Sequence, residues 1–361
     1  MQQGIQTQRR LRLRAGVCLA GVLATCAAGD AQIGFVRSGS TPDVRPPESR
    51  SQRRPAPRRP PGQGDAPQWV LPAVDTPRLR NHIFQSAAAR SKVSYHIYIP
   101  DAYDTQTKRR FPVLYWLHGS GGGAAELRPL AKYFGDAIRD GKIPPMLIVF
   151  PNGLRNGMWC DSKDGRTPIE TILMKELIPD VDATFRTIAS RAGRIIEGFS
   201  MGGYGAARLG FKYPDIFCAV SILGGGPLQK DFKKTPRATP RAREWLLRAI
   251  YGGDHAYFRA QSPWVLTEQH AASLRHGILI RQSVGELDET LPANRELHEH
   301  LRRLKIPHTF TVLPGVEHNP RALFRAMGQS NWEFYRLVFG GKHKNQDRES
   351  GIGDQAPRPN N

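Results

Sequence analysis

The pentapeptide Gly198-Phe199-Ser200-Met201-Gly202 sets a serine between two glycines in the pattern G-x-S-x-G. Arg194-Ile195-Ile196 before it reads as a strand, and residues 203–213 after it read as a helix. A serine on so sharp a turn needs small neighbours, because the backbone there is crowded and strained. The helix start would aim free amides and a positive dipole end at the reacting centre. A Gly-rich turn with an idle serine is the competing explanation. The flanking strand and helix favour the nucleophile.

A serine hydroxyl attacks poorly until a base removes its proton. Residues 278–284 read as a strand running into Gly285-Glu286-Leu287-Asp288, where Asp288 is the preferred orienting acid and Glu286 its rival. A further strand, 309–313, runs into Pro314-Gly315-Val316-Glu317-His318, which puts His318 in a loop after the acid. The order serine, acid, histidine suits a nucleophile on such an elbow. His298, His300 and His308 fall on or beside a helix and fit the base worse.

Acyl transfer passes through an oxyanion that needs preorganised donors. The amide of Met201 is one. The turn His118-Gly119-Ser120, directly after a buried strand, offers the second through Gly119 or Ser120. A phosphate-binding loop is the rival for these glycines, but neither G-x-x-x-x-G-K-[ST] nor G-x-G-x-x-G occurs. His118 is expected to brace its loop. His118, Asn152 and Trp159 are the candidate substrate-binding residues, since their loops follow strands at the edge where α/β proteins hold ligands. Trp159 either stacks on a sugar or aryl group or plugs its loop. Glu170 and Glu176 are expected on a helix surface. No Cys/His spacing marks a metal, and this chemistry calls for no cofactor.

The elements that must carry these residues alternate. Short apolar runs at 113–117, 146–150, 194–196, 218–223 and 278–283 predict buried parallel strands, and 92–99 predicts a half-buried one. Helical spacing appears over 124–139, 169–185, 202–213, 292–304 and 321–339. The class is therefore α/β, a mostly parallel sheet with helices on both faces. Residues 226–276 break the rhythm with a Lys/Arg-rich loop and a helix at 241–251. They are expected to form a small cap over the sheet's carboxyl edge.

With 361 residues, 39% of them hydrophobic, the chain can bury a large core and is not wholly disordered. The net charge of +20 divides into +7 over 1–68, +12 over 69–341 and +1 over 342–361. Such a surface favours anionic partners such as polyanionic glycans, membranes or nucleic acid, but no nucleic-acid module is present, and a solvated basic surface is the better reading. Arg9, Arg10, Arg12 and Arg14 precede an apolar run, 15–28, too short to span a bilayer. This reads as an export signal cleaved after Ala31 or after the Cys26–Ala28 pair, implying a secreted or periplasmic protein. Membrane attachment follows only if Cys26 is lipidated, and Thr25 fits that poorly. Residues 32–68 read as a Pro/Arg-rich spacer, 69–341 as the catalytic domain and 342–361 as a polar tail. Beyond the signal only Cys160 and Cys218 remain, as a disulfide or as separate buried thiols.

L-H-G-S-G-G-G, P-N-G, K-E-L-I-P-D-V, G-F-S-M-G-G-Y-G-A, Y-P-D-I-F and P-G-V-E-H together resemble an esterase family. It includes feruloyl and acetylxylan esterases, S-formylglutathione hydrolase, enterochelin esterases and the antigen 85 mycolyltransferases. The resemblance covers about residues 80–340. It implies an α/β-hydrolase fold with Ser200 as nucleophile, His318 as base, and Met201 with the 118–120 turn at the oxyanion. It also strengthens Asp288 over Glu286, because the family acid follows a strand as G-x-x-D. Many members carry H-D-W at the catalytic histidine, whereas His318 precedes Asn319-Pro320. The expected activity is ester hydrolysis on small or glycan-linked acyl groups. Acyl transfer to a sugar hydroxyl is the alternative, and an inactive glycan- or wall-binding protein is a third reading.

Overall fold

A computed structural model describes residues 66–340. Among the described residues there are eight strands: β1 (Leu79–Ser86), β2 (Ser91–Tyr98), β3 (Val113–Leu117), β4 (Leu147–Pro151), β5 (Arg194–Phe199), β6 (Ala219–Leu223), β7 (Leu279–Gly285) and β8 (Thr309–Leu313). They form one sheet in the order β1-β2-β4-β3-β5-β6-β7-β8. β2 runs antiparallel to both its neighbours, and every other pairing is parallel. From β3 the chain steps outward to β4, then returns to β5 on the other side of β3. That reversal opens a crevice at the carboxyl ends of β3 and β5, the two strands that lead into the His118 and Ser200 turns.

Strand alternation splits the apolar residues between two cores, one per face. Val113, Tyr115 and Leu117 of β3 join Tyr204, Leu209 and Leu297, so helices Met201–Lys212 and Leu291–Arg303 cover that face. Leu114 and Trp116 join Phe134, Phe324 and Tyr335, so Ala124–Arg139 and Pro320–Phe339 cover the other. Within the second core Arg281 of β7 donates to Glu197 of β5 at 2.7 Å, and Tyr335 donates to the other carboxylate oxygen at 2.7 Å. This pairing ties β7, which leads to Asp288, to the strand that leads to Ser200.

Two differences from the sequence reading have local causes. β2 is buried from Val93 onward rather than half-buried, because the segment before β1 lies over its polar face. There Leu71 donates its amide to Ser94 Oγ at 2.8 Å, and His96 Nε2 bonds the Pro72 carbonyl at 3.1 Å. β1 is an additional strand. Its edge position leaves Ile83 47% exposed, so polar residues dilute the apolar alternation that would mark it.

Residues 226–276 form a short 3-10 turn, Phe232–Lys234, then four helices beginning with Pro240–Tyr251. That helix has the ends its sequence dictates: the Thr239 side chain accepts from the Ala242 amide, Pro240 opens it, and Gly252 closes it at φ 63°. The segments 1–31 and 342–361 and most of 32–68, read as signal, tail and spacer, lie outside the described residues. Among the described residues no helix is long and apolar enough to cross a membrane. Cys160 and Cys218 are both buried, and no disulfide joins them.

Candidate active site

Ser200 sits between β5 and helix Met201–Lys212 with φ 59° and ψ −120°, outside the wells that L-residues prefer. Such a conformation costs about 1–3 kcal/mol and survives only where neighbours enforce it. Three backbone bonds do so: Ser200 donates to the Leu223 carbonyl, and its own carbonyl accepts from Tyr204 and Gly226, each at 3.0 Å. The flanking glycines follow from close approach. A Cβ at Gly202 would stand 1.8 Å from the Leu117 carbonyl oxygen, and one at Gly198 would stand 2.4 Å from the Gly202 backbone. G-x-S-x-G is therefore what lets the helix start lie against the end of β3.

His318 reaches this turn from the loop after β8. Its Nε2 lies 2.8 Å from Ser200 Oγ, and its Nδ1 lies 2.7 Å from Asp288 Oδ2. Nδ1–H therefore donates to Asp288, and the serine hydroxyl donates to Nε2. The other Asp288 oxygen accepts from the Thr290 amide and hydroxyl, both at 2.7 Å. Burial raises the Asp288 pKa, but the bonds from His318 and Thr290 outweigh it and hold the carboxyl below its usual value. Thr290 belongs to the site although sequence reasoning passed over it. The Asp-x-Thr spacing is an Asx-turn signal that marks it in retrospect. Glu286, the rival acid, faces away and accepts the Gly315 amide at 2.9 Å.

Next to the serine, Met201 is the first helical residue, so its N–H has no intrahelical acceptor. The facing turn is fixed one peptide at a time. His118 Nδ1 lies 2.8 Å from the Gly119 carbonyl, while its Nε2 lies 3.1 Å from the Gly153 amide. Because that amide can only donate, Nε2 accepts and Nδ1 carries the proton. Burial favours the neutral form, pushing His118 down to about 4 even though the Gly119 carbonyl bond pulls it upward. In a trans peptide the N–H points opposite to the C=O, so clamping the Gly119 carbonyl sends the Ser120 N–H the other way. The preceding peptide is held by the Trp159 indole, which donates to the His118 carbonyl at 3.1 Å. Burial raises the Glu126 carboxyl pKa, and the nearby Gly119 N–H partly offsets that rise. Of the two loop amides in prospect, the geometry points to Ser120.

The three residues expected to touch substrate lie elsewhere. His118, Asn152 and Trp159 are buried, and none lines the cleft that contains Ser200. Asn152 donates to the Gln68 and Trp69 carbonyls at 2.8 and 2.9 Å, anchoring the segment before β1. Trp159 plugs the loop: a Cβ at Gly153 or Gly205 would come within 2.6 or 2.5 Å of its ring. Its carbonyl accepts from the buried Arg208 at 2.9 Å, and Arg208 pairs with Glu170. Glu170 is accordingly buried rather than on a helix surface, because Lys212 and Tyr213 also bond it. Glu176 bonds Ser86 and the Ala88 amide.

The cleft holds about 380 Å³. Gly119, Ser120, Ser200 and His318 form its floor, and Gln229, Phe232, Arg237 and Leu246 of the insertion form much of its wall. The insertion thus supplies one wall of the cleft beside Ser200. Asp288, Glu289 and His318 are the cluster among the described residues whose ligand atoms come close enough to share a cation. Two of its three members are already committed to each other.

The chain spans about a third or less of the length of two curated relatives that it matches by sequence. An esterase of Mycobacterium tuberculosis is 37% identical over 163 residues, 43% of this chain and 34% of that protein. An endo-1,4-beta-xylanase/feruloyl esterase of Xylanibacter ruminicola is 31% identical over 163 residues, 43% of this chain and 22% of that protein. Among solved structures, a ferulic acid esterase superposes with a TM-score of 0.60 at 24% identity, covering 72% of this chain and 98% of that one. S-formylglutathione hydrolase from Staphylococcus aureus gives 0.57 at 16% identity, covering 72% and 98%. These likenesses and the strand order make the fold an α/β hydrolase. A family model described as "Putative esterase" matches residues 86–344, and the chain belongs to that family.

Proposed function

We propose that this chain is an exported serine carboxylic-ester hydrolase acting on acyl groups carried by carbohydrate. The observation that carries the reading is the pair of contacts, 2.8 and 2.7 Å, that link Ser200, His318 and Asp288 within one cleft. His318 Nε2 takes the Ser200 proton as Oγ attacks the ester carbonyl, and Asp288 steadies the imidazolium that forms. The Met201 and Ser120 amides hold the oxyanion. The alcohol leaves with the proton from His318, and water then resolves the acyl-enzyme by the same steps. Export is supported by the Arg9–Arg14 cluster and the apolar run after it. A carbohydrate-linked substrate is supported by the feruloyl esterase names of relatives. The test is hydrolysis of p-nitrophenyl acetate and release of ferulate or acetate from esterified xylan by the purified protein. Turnover of the small ester alone would remove the carbohydrate assignment, and no turnover would remove the enzyme.

The role given to His118 has its own test. Asparagine places a donor near the position of Nδ1, glutamine one near Nε2. His118→Asn should therefore keep most of kcat, while His118→Gln should lose on the order of 10-fold or more with little change in KM. The histidine also carries a pH signature. Its folded-state pKa is depressed, so its stabilising contribution is whole above about 6.5 and is lost as pH falls towards about 4. Urea unfolding of the native protein should weaken across that window, on the order of 3 kcal/mol from this group. His118→Asn should show a correspondingly flatter profile, and equal profiles would refute the buried neutral assignment.

A further inference from the structure

We propose that the ester cleaved here is carried on a negatively charged polysaccharide, whose carboxylates rest on the basic side of the insertion beside the cleft. This deepens the esterase reading and depends on it. Between residues 228 and 248 lie Lys230, Lys233, Lys234, Arg237, Arg241, Arg243 and Arg248, against only Asp231 and Glu244. Phe232, Thr235, Arg237 and Leu246 of the same stretch line the cleft, so these cations border the reacting centre rather than a remote surface.

Few of these charges are neutralised. Arg237 pairs with Glu289, and Arg248 pairs with Glu244. Arg243 donates to the Thr235 and Ala238 carbonyls, and Lys230 lies 4.4 Å from the centre of the Trp264 ring. Lys233, Lys234 and Arg241 are exposed and have no carboxylate partner among the described residues. Asp231 is turned to its own 3-10 turn, where it accepts the Lys233 amide. Like charges held close together in this way repel one another, and an anionic partner relieves the repulsion.

A large apolar ring lies within the patch. Trp245 is 55% exposed, and Arg241 and Arg248 stand four residues before and three after it, on one face of helix Pro240–Tyr251. A flat ring between guanidinium groups suits a sugar ring that bears a carboxylate. Across the cleft the loops after β7 and β8 carry the exposed acids Glu286 and Glu317, while Glu289 is taken up by Arg237. A broad anionic surface laid across both sides would meet those acids. A chain running along the insertion would not. The asymmetry favours a polymer over a membrane.

The experiment compares O-acetylated polygalacturonate with O-acetylated neutral xylan, using p-nitrophenyl acetate as the control for the triad and the fold. Lys233, Lys234 and Arg241 do not line the cleft, so the small ester reports on the reacting centre alone. The expected result is a kcat/KM for the polygalacturonate that falls at least 10-fold between about 50 and 300 mM salt, with the xylan and the small ester nearly constant. The variant Lys233→Glu/Lys234→Glu/Arg241→Glu should show the same selective loss at low salt. Equal salt dependence for both polymers, or a variant that retains the polygalacturonate preference, would overturn the proposal. So would a variant that loses binding to phosphatidylglycerol vesicles while its polymer turnover stays intact. A protein inert towards p-nitrophenyl acetate would instead refute the esterase reading itself.

Discussion

Asn in place of Asp288 is expected to leave the fold standing and cut turnover by about 10⁴-fold. Asp288 Oδ2 accepts the Nδ1 proton of His318 at 2.7 Å, which leaves Nε2 unprotonated and facing Ser200. An amide in that place can present its NH₂ to Nδ1 instead, and the imidazole then carries its proton on the side where a base is needed. Thr290 still holds the other oxygen, so the loop itself should stay in place. Glu286→Gln should stay near wild type, because Glu286 only accepts the Gly315 amide at the exposed mouth of the loop. Steady-state rates on one activated ester check both variants. If the two substitutions exchanged effects, Glu286 would be the acid.

Alanine at Ser200, or alanine at His318, should each cost about 10⁶-fold in kcat, and the double variant should be no worse. Neither group does useful work without the other: an unassisted hydroxyl is a poor nucleophile, and a base with no hydroxyl beside it has nothing to activate. The Met201 and Ser120 amides and the cleft should still leave roughly 10³-fold acceleration over water. All three proteins would be assayed on the same ester under the same conditions. Losses that multiply in the double variant would mean the two residues act independently.

How much of this could be read from residues alone depended on what holds each one. Ser200 was legible because its turn demands glycine at 198 and 202, and that demand is written locally. Asp288 and His318 each lie in a loop just after a strand, β7 and β8, so chain order could single them out. The central strands β3, β4 and β6 are buried along their whole length and read as mainly apolar stretches. β1 could not be read that way, since an edge strand has one wet face and keeps Arg80, Asn81 and His82 among its residues.

The sequence leaves Trp159 and Asn152 open for a physical reason. Position after a strand puts a residue near the crevice, but only packing decides whether it faces inward or outward. Gly153 and Gly205 leave the space that draws the Trp159 ring under the loop, and neither glycine is adjacent to it in sequence. Glu170 has the same lesson, since Arg208 and Lys212 reach it from a helix some 40 residues later. The composition of the insertion announced its charge. Which of its residues face the cleft needed the tertiary structure.

The central claim is that Ser200 is an activated nucleophile, and a fluorophosphonate tests it most directly because it reacts covalently with such a serine. Intact-mass analysis followed by peptide mapping should find a single adduct, on Ser200, formed rapidly in the native protein. It should be absent from Ser200→Ala and strongly slowed in His318→Ala. A native protein that stays unmodified, or an adduct mapped to another residue, would contradict the account.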